Sequence, residues 1–110
     1  MVRIQDSVNE HIQQMVERIV NQFHPEKIIL FGSHARGDGT ADSDVDLLVV
    51  MKVNGSKRQQ ATAIDLSLQG IPLPADIIVA TPPEVEAYRD TIGSIIREAA
   101  HEGKILYARK

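Results

Sequence analysis

Three aspartates at alternate positions, Asp42, Asp44 and Asp46, are of a type and spacing that could do chemistry. The apolar run over residues 47–50 follows them and predicts a core strand that begins near Asp44 and Asp46. Alternate residues of a strand point to the same side, about 6.6 to 6.8 Å apart, so these two carboxylates would project together. Like charges on one face repel each other unless a cation lies between them. The pattern therefore suggests a metal site.

Two other interpretations of these aspartates must be considered. Ser-Asp clusters before a strand often only form turns, because Asp side chains bond nearby backbone amides. We favour that interpretation for Asp42, and it stays open for Asp44 and Asp46 taken alone. A calcium loop of the EF-hand type would use all three positions as ligands. However, Leu47 stands where that loop requires glycine and Val53 where it requires glutamate, so the loop is excluded.

A second segment, Gly32-Ser33, follows the apolar run over residues 28–31 and opens a turn that could be helical as far as Arg36. Free amides at the start of such a turn attract anions. Gly32 would let a phosphate approach the backbone, and Ser33 would add a hydroxyl donor. No Gly-Lys-Ser/Thr follows, so this is not a Walker phosphate loop. Together with the Asp-x-Asp that opens the next strand, the segment predicts hydrogen-bond donors for phosphate and metal ligands at one sheet edge.

Asp76 is the candidate for the third carboxylate that two-metal nucleotidyl transfer requires. It opens the third predicted strand in an otherwise apolar setting. The alternative is a solvent-exposed aspartate on an edge strand. Three carboxylates can hold two magnesium ions about 3.5 to 4 Å apart, which activate an attacking hydroxyl and neutralise the leaving pyrophosphate.

The elements that must position these residues alternate between helix and strand. Hydrophobic periodicity, caps and turn residues predict helices over 4–23, 56–69 and 81–103. Strands are predicted over 27–31, 45–53, 75–80 and 105–108. This order predicts an α/β (α+β) fold in which helices flank a small mixed sheet. We expect one domain over residues 1–110.

Composition excludes several classes of protein. The longest apolar run, over residues 45–53, is much shorter than the roughly 20 residues of a membrane helix, and the N-terminus lacks the apolar stretch of a secretory signal. Cysteine is absent, which excludes disulfides and thiolate metal sites. The net charge is −3 and the basic residues are scattered, so we expect no direct binding of nucleic acid. A cytoplasmic location is the simplest expectation.

The segments from Gly32 to Gly37 and from Ser43 to Leu47 resemble the two-part signature of the DNA polymerase beta superfamily of nucleotidyltransferases. The sequence is most similar to the smallest members, the MNT antitoxins that are paired with HEPN toxins. The resemblance covers nearly the whole chain, from the leading helix through Asp76 to the segment that starts at Gly103. It implies the nucleotidyltransferase fold.

The resemblance also implies roles for individual residues. The metal ligands would be Asp44, Asp46 and Asp76, holding two magnesium ions, and the residues binding the triphosphate of ATP would be Gly32 and Ser33. Asp76 would also help to deprotonate the acceptor hydroxyl. Arg36 would lie near the site, where it either contacts a phosphate or holds the loop through a salt bridge to Asp42 or Asp44. His34 occupies a variable position and receives no role.

The resemblance finally implies a partner. Larger relatives add a second domain that grips the base or the acceptor, and this chain ends about where the catalytic domain does. We therefore expect a site open on one side that a protein partner or a homo-oligomer completes. Within the family the partner is a HEPN ribonuclease toxin, which receives AMP on a tyrosine. Two alternatives stay open: an antitoxin that blocks its toxin without turnover, and a regulatory domain that binds ATP without turnover.

Overall fold

The structure of the protein is a computed structural model that describes residues 4–110, with side chains from residue 7 onward. The helices are α1 (Ile4–Phe23), α2 (Ser33–Arg36), α3 (Lys57–Ser67), α4 (Pro82–Tyr88) and α5 (Ile95–Glu102). The strands are β1 (Lys27–Phe31), β2 (Val45–Val50), β3 (Ala75–Ala80) and β4 (Lys104–Ala108). The predicted α/β class is confirmed, since four strands form one mixed sheet with helices on it.

The sheet has the strand order β3-β2-β1-β4. Strand β1 pairs antiparallel with both β2 and β4, and β2 pairs parallel with β3. The end of β1 therefore lies at the same edge as the beginnings of β2 and β3. Phe31, the last residue of β1, pairs with Asp46, and Asp46 pairs with Asp76. The topology thus brings the two halves of the sequence motif to one edge of the sheet.

Helices cover both faces of the sheet, so the core has two parts. On one face, α1 and α3 pack against odd-numbered residues of β2 and β3; the largest fully buried side chains there are Met15, Ile19, Ile28, Leu47 and Ile64. On the other face, α4 and α5 pack against even-numbered residues; the contacts involve Leu48, Val50, Ala80, Val85, Ile96 and Ala99. Because side chains alternate along a strand, Asp46 and Asp76 share the face of α4 and α5.

Two predicted elements have wrong boundaries. Strand β2 ends at Val50 rather than at residue 53, because Val50 pairs with Lys27, where β1 begins, and with Ala80, where β3 ends. No neighbouring strand in the described sheet extends beyond these residues.

The helix predicted over 81–103 is in fact two helices, α4 and α5. Gly93 adopts a left-handed backbone with φ of 87°, and the side chain of Ser94 starts a new helix by accepting a hydrogen bond from the N–H of Arg97 at 3.0 Å. Ile92 lies in the break and is 87% exposed, although its apolar side chain falls within the predicted helix. At the start of α4, Thr81 and Glu84 form a capping box, in which each side chain bonds the backbone N–H of the other residue.

Within the part of the chain that the structure describes, no helix has both the length and the apolar character needed to span a membrane.

Candidate active site

Asp46 and Asp76 stand side by side on the face of the sheet covered by α5. They are register partners in the parallel pairing of β2 with β3, and parallel partners project to the same side. Asp46 is half-buried, whereas Asp76 and Asp44 are exposed. Asp44 immediately precedes β2 and acts electrostatically on Asp46. The structure therefore brings the three predicted carboxylates into one electrostatically coupled group.

The pKa of Asp46 is raised above its ordinary value of 3.8. Burial is the largest cause, followed by the negative charges of Asp76, Asp44 and Glu98, while His34 acts in the opposite direction. A carboxylate in this setting is destabilised in its ionised form and would be stabilised by a bound cation.

Gly32 holds the end of β1 directly against the carboxylate of Asp46. A Cβ atom added at this glycine would overlap Oδ2 of Asp46 and lie 3.1 Å from its Cγ. The backbone there has φ of 76° and ψ of −156°, a conformation that is essentially restricted to glycine. The fold requires glycine at this position for two independent reasons, namely the backbone conformation and the close approach of Asp46.

The short helix α2 begins at Ser33, next to this glycine. The N–H groups of Ala35 and Arg36 both donate to the carbonyl of Gly32 at 3.1 Å. The preceding N–H groups, those of Ser33 and His34, donate to no other group among residues 4–110. The predicted helical turn is confirmed, and it leaves two amide donors beside Asp46, as an anion-binding turn requires.

His34, which received no role from the sequence, positions the loop that carries Asp44. It is buried, and its Nε2 lies 3.0 Å from the carbonyl oxygen of Ser43, so this nitrogen carries the donated proton. Its ring also packs against Gly39, where an added Cβ would lie 2.5 Å from Nδ1. His34 therefore ties the turn after β1 to the residue immediately before Asp44. Only the fold reveals this contact, because it depends on how the loop after α2 folds against the ring.

Arg36 does not form either of the salt bridges considered from the sequence, to Asp42 or to Asp44. Its Nε instead lies 3.7 Å from Oδ2 of Asp38, and both side chains are more than half exposed. An exposed pair of this kind contributes little to stability, so the guanidinium can exchange Asp38 for another anion at little cost. The structure leaves contact with a phosphate as the remaining expectation for Arg36.

Glu98 is a further carboxylate beside the site, and sequence reasoning missed it. It lies half-buried on α5, and its charge raises the pKa of Asp46. The C-terminal end of this helix packs closely on β1, since a Cβ added at Gly103 would lie 2.8 Å from the carbonyl oxygen of Leu30. No motif signals Glu98, because its proximity depends on how α5 crosses the sheet.

Comparison with known proteins assigns the family. The sequence profile of the nucleotidyltransferase domain matches residues 12–106, which include strands β1 to β3, the first part of β4 and all the site residues described above. This chain belongs to the nucleotidyltransferase domain family.

Two relatives give further detail on this nucleotidyltransferase. A protein of Methanocaldococcus jannaschii that is provisionally named a protein adenylyltransferase is 37% identical over 83 residues, covering 74% of this chain and 78% of the relative. A crystal structure of a provisionally named nucleotidyltransferase from Sulfolobus solfataricus superposes with a TM-score of 0.60 at 21% identity. That superposition covers 94% of this chain and 87% of the other, and it shows a shared fold.

The donor set of this nucleotidyltransferase suits a hard divalent cation, since carboxylate oxygens are the protein ligands that magnesium prefers. Among residues 4–110, however, no three or more His, Asp or Glu side chains converge closely enough to hold a metal ion as they stand. Like charges repel, and after burial the negative charges of Asp76 and Asp44 are the next causes that raise the pKa of Asp46. The site fits magnesium in its chemistry, and binding would require the carboxylates to draw together.

The raised pKa of Asp46 predicts how stability depends on pH in a metal-free buffer. The folded state holds the proton of Asp46 more tightly than the unfolded state does, so the associated stability is present below the ordinary pKa of 3.8 and is lost as pH rises through the raised value. Asp46→Asn cannot ionise. We expect it to melt at a higher temperature than the wild type at pH 7 in EDTA, with a smaller difference near pH 4.

Thermal melts followed by circular dichroism at the two pH values test this expectation. The control is Asp42→Asn, which makes the same chemical change at an exposed loop residue. If Asp46→Asn melts below the wild type at pH 7, or if Asp42→Asn changes the melting temperature by the same amount, then the ionised carboxylate of Asp46 does not destabilise the fold.

Proposed function

We propose that this nucleotidyltransferase is a magnesium-dependent protein adenylyltransferase that moves AMP from ATP onto a hydroxyl group of a partner protein. The observation that carries the proposal is the contact between Gly32 and Asp46. In this contact, a turn with two free backbone amides lies against a carboxylate that is itself paired with Asp76. Candidate hydrogen-bond donors for phosphate and candidate metal ligands are therefore neighbours, which supports attack on the α-phosphorus of ATP at this site.

The site residues have separate roles in the proposed transfer. The free amides of Ser33 and His34 would bind the triphosphate, and Asp44, Asp46 and Asp76 would hold the magnesium ions. Bound magnesium supplies charge neutralisation for the phosphates and for the leaving pyrophosphate. The acceptor oxygen forms a bond to the α-phosphorus as the bond to the pyrophosphate oxygen breaks.

In the proposed reaction, Asp76 takes the proton of the acceptor hydroxyl. It is more exposed than Asp46, its register partner, so an incoming group can reach it. The products are then an adenylylated partner, pyrophosphate and one proton, which passes from the carboxylate to solvent.

The name of the M. jannaschii relative supports a protein as the acceptor. The resemblance to MNT antitoxins supports a HEPN ribonuclease toxin as that protein, with a tyrosine as its acceptor group. The exposure of Asp44 and Asp76 supports a site that a docked partner completes. We propose that adenylylation neutralises the toxin, so that the pair works as a toxin–antitoxin system.

A transfer assay tests this function. ATP labelled in its α-phosphate is incubated with the protein, magnesium and the products of the neighbouring genes, of which the proposal requires one to be a HEPN protein. We expect label on one hydroxyl residue of the HEPN protein and an equal amount of pyrophosphate. Absence of both products would refute adenylyl transfer. Labelling of the acceptor by ATP that carries the label in its γ-phosphate would refute it as well, because AMP does not contain that phosphate.

A non-catalytic antitoxin is the second candidate, and one observation favours it: the carboxylates do not converge on a common point in the described structure. The double variant Asp44→Asn with Asp46→Asn separates the two candidates. If it still suppresses the ribonuclease activity of the partner at equal concentration, occlusion suffices. If suppression is lost while the complex still forms, catalysis is required.

A further inference from the structure

Strand β3 has one free edge, and that edge lies beside Asp76. The N–H of Val45 donates to the carbonyl of Pro74 at 2.8 Å, and the N–H of Met51 donates to the carbonyl of Ala80 at 3.0 Å. Backbone groups alternate in direction along a strand, so the even-numbered residues of β3 bond to β2. The N–H and C=O groups of Ala75 and Ile77 therefore point away from the sheet, and no described backbone group bonds to them.

A groove follows this free edge between β3 and α3. It has a volume of about 240 Å³, and its lining residues are Ala61, Thr62, Asp65, Ala75, Asp76 and Ile77. Asp65 and Thr62 are exposed residues of α3, on the face of the sheet opposite the active site. The groove therefore has the outward backbone groups of β3 at its base, with Asp76 on the active-site side and Asp65 on the other.

The far end of the same edge is closed. Lys57 at the start of α3 and Glu84 on α4 form a salt bridge of 2.5 Å, which joins helices on opposite faces of the sheet. Both residues line a cavity together with Val79 and Ala80, the last residues of β3. The bridge protects that end of β3 from pairing with another chain, and it leaves open the stretch from Ala75 to Ile77.

We propose that this open stretch binds an extended segment of the acceptor protein as an added strand, with the residue to be modified placed opposite Asp76. The proposal rests on the function proposed above and specifies how its substrate is held. Residues that stand opposite each other in neighbouring strands project to the same face. The residue opposite Asp76 therefore points to the active-site face, about 4.5 to 5.5 Å away between Cα atoms, within reach of the carboxylate.

The same alternation defines the chemistry of the flanking residues. The residues opposite Ala75 and Ile77 point to the face of α3, where Thr62 and Asp65 line the groove. The carboxylate of Asp65 makes that wall negative. The occupant that fits is therefore an extended segment with a hydroxyl residue between basic residues.

Synthetic heptapeptides test the binding mode without depending on turnover. Each carries a fluorophore and a central Ser, Thr or Tyr between two lysines, and binding to Asp46→Asn is measured by fluorescence anisotropy. Methylating one backbone nitrogen at a time removes one donor at a time. Strand addition predicts that methylation at every second backbone nitrogen lowers the affinity of the peptide about tenfold, whereas methylation at the nitrogens between them leaves the affinity unchanged. Equal affinity for all methylated peptides, uniform loss, or no binding by any peptide would overturn the proposal.

Charge reversal on the protein side is an independent check. Asp65→Lys should bind the lysine-flanked peptides about tenfold more weakly and the glutamate-flanked versions more tightly. Glu86→Lys is the matched control, because Glu86 is an exposed helical residue on α4 that lines neither cavity, and its affinities should not change. Equal effects of the two variants would refute the role of Asp65.

These outcomes separate the binding mode from the function. Alternating sensitivity to methylation without any AMP transfer by the wild type would refute only the proposed reaction. AMP transfer onto a protein at the same rate in the wild type and Asp65→Lys would refute only strand addition at this groove. Label appearing on the protein itself, with peptides present and unlabelled, would identify a second copy as the occupant and overturn the proposal.

Discussion

Asp46→Asn should lower the rate of nucleotidyl transfer by about 10³-fold or more, because the substitution removes the negative charge at the centre of the site. Asp46 is the carboxylate that both Asp44 and Asp76 act on, and it is the one pressed against Gly32. An amide retains the shape of the side chain but neither its charge nor its affinity for magnesium. The measurement is steady-state release of pyrophosphate from ATP in the presence of the acceptor.

The control for this loss lies in the same loop. Asp42→Asn removes a carboxylate from an exposed residue whose backbone N–H donates to Oγ1 of Thr40, and we expect it to keep near-normal activity. The thermal melts described above show whether Asp46→Asn remains folded, so an inactive variant cannot be explained by unfolding. Comparable rates in the wild type and Asp46→Asn, or comparable losses in the two variants, would remove Asp46 from the chemistry.

The part of the site that could be predicted from the sequence depends on local spacing. Gly32 and Ser33 end one strand, and the Asp-x-Asp of Asp44 and Asp46 opens the next, so alternation along the strand predicts a shared face. The antiparallel pairing of β1 with β2 then brings Phe31 opposite Asp46. Strand periodicity fixes the face that the aspartates share, and the pairing of the two consecutive strands brings the segments together, which is why the two segments are informative as a pair.

The remaining features depend on tertiary packing. Glu98 reaches Asp46 only because α5 crosses the sheet over β1, and His34 reaches Ser43 only because the loop folds back on Gly39. Neither contact leaves a periodic trace. The break between α4 and α5 was missed for a different reason, since apolar residues continue at helical spacing through a segment that Gly93 and Ser94 turn out of the helix.

In the proposed binding mode, strand β3 serves two purposes. The same pairing that sets Asp76 beside Asp46 leaves the other side of β3 open. If an acceptor segment adds to this edge, the residue opposite Asp76 projects to the active-site face, because side chains alternate along the added strand as they do along β2 and β3. From the sequence, Asp76 could also be an ordinary solvent-exposed residue of an edge strand. In this binding mode its exposure is required, because the acceptor residue must reach its carboxylate.

Gly32→Ala should both destabilise the protein and inactivate it. The backbone conformation is costly for alanine, by about 1 to 3 kcal/mol, and the new Cβ would overlap Oδ2 of Asp46. Either the carboxylate rotates away or the end of β1 shifts, and both responses misplace a metal ligand relative to the anion-binding turn. Chemical denaturation measures the loss of stability, and pyrophosphate release measures the loss of activity.

Gly70→Ala is the matched control, because Gly70 also has a positive φ, of 94°, but a Cβ added there meets no atom within 4 Å. It should lose stability through its backbone alone and keep its activity. The steric part at Gly32 can be isolated with Asp46→Ala, which removes the overlapping atoms. In that background Gly32→Ala should cost less stability than it does in the wild type, a coupling that distant sites do not show. Additive losses would mean that Gly32 and Asp46 do not touch, and the site would have to be rebuilt without their contact.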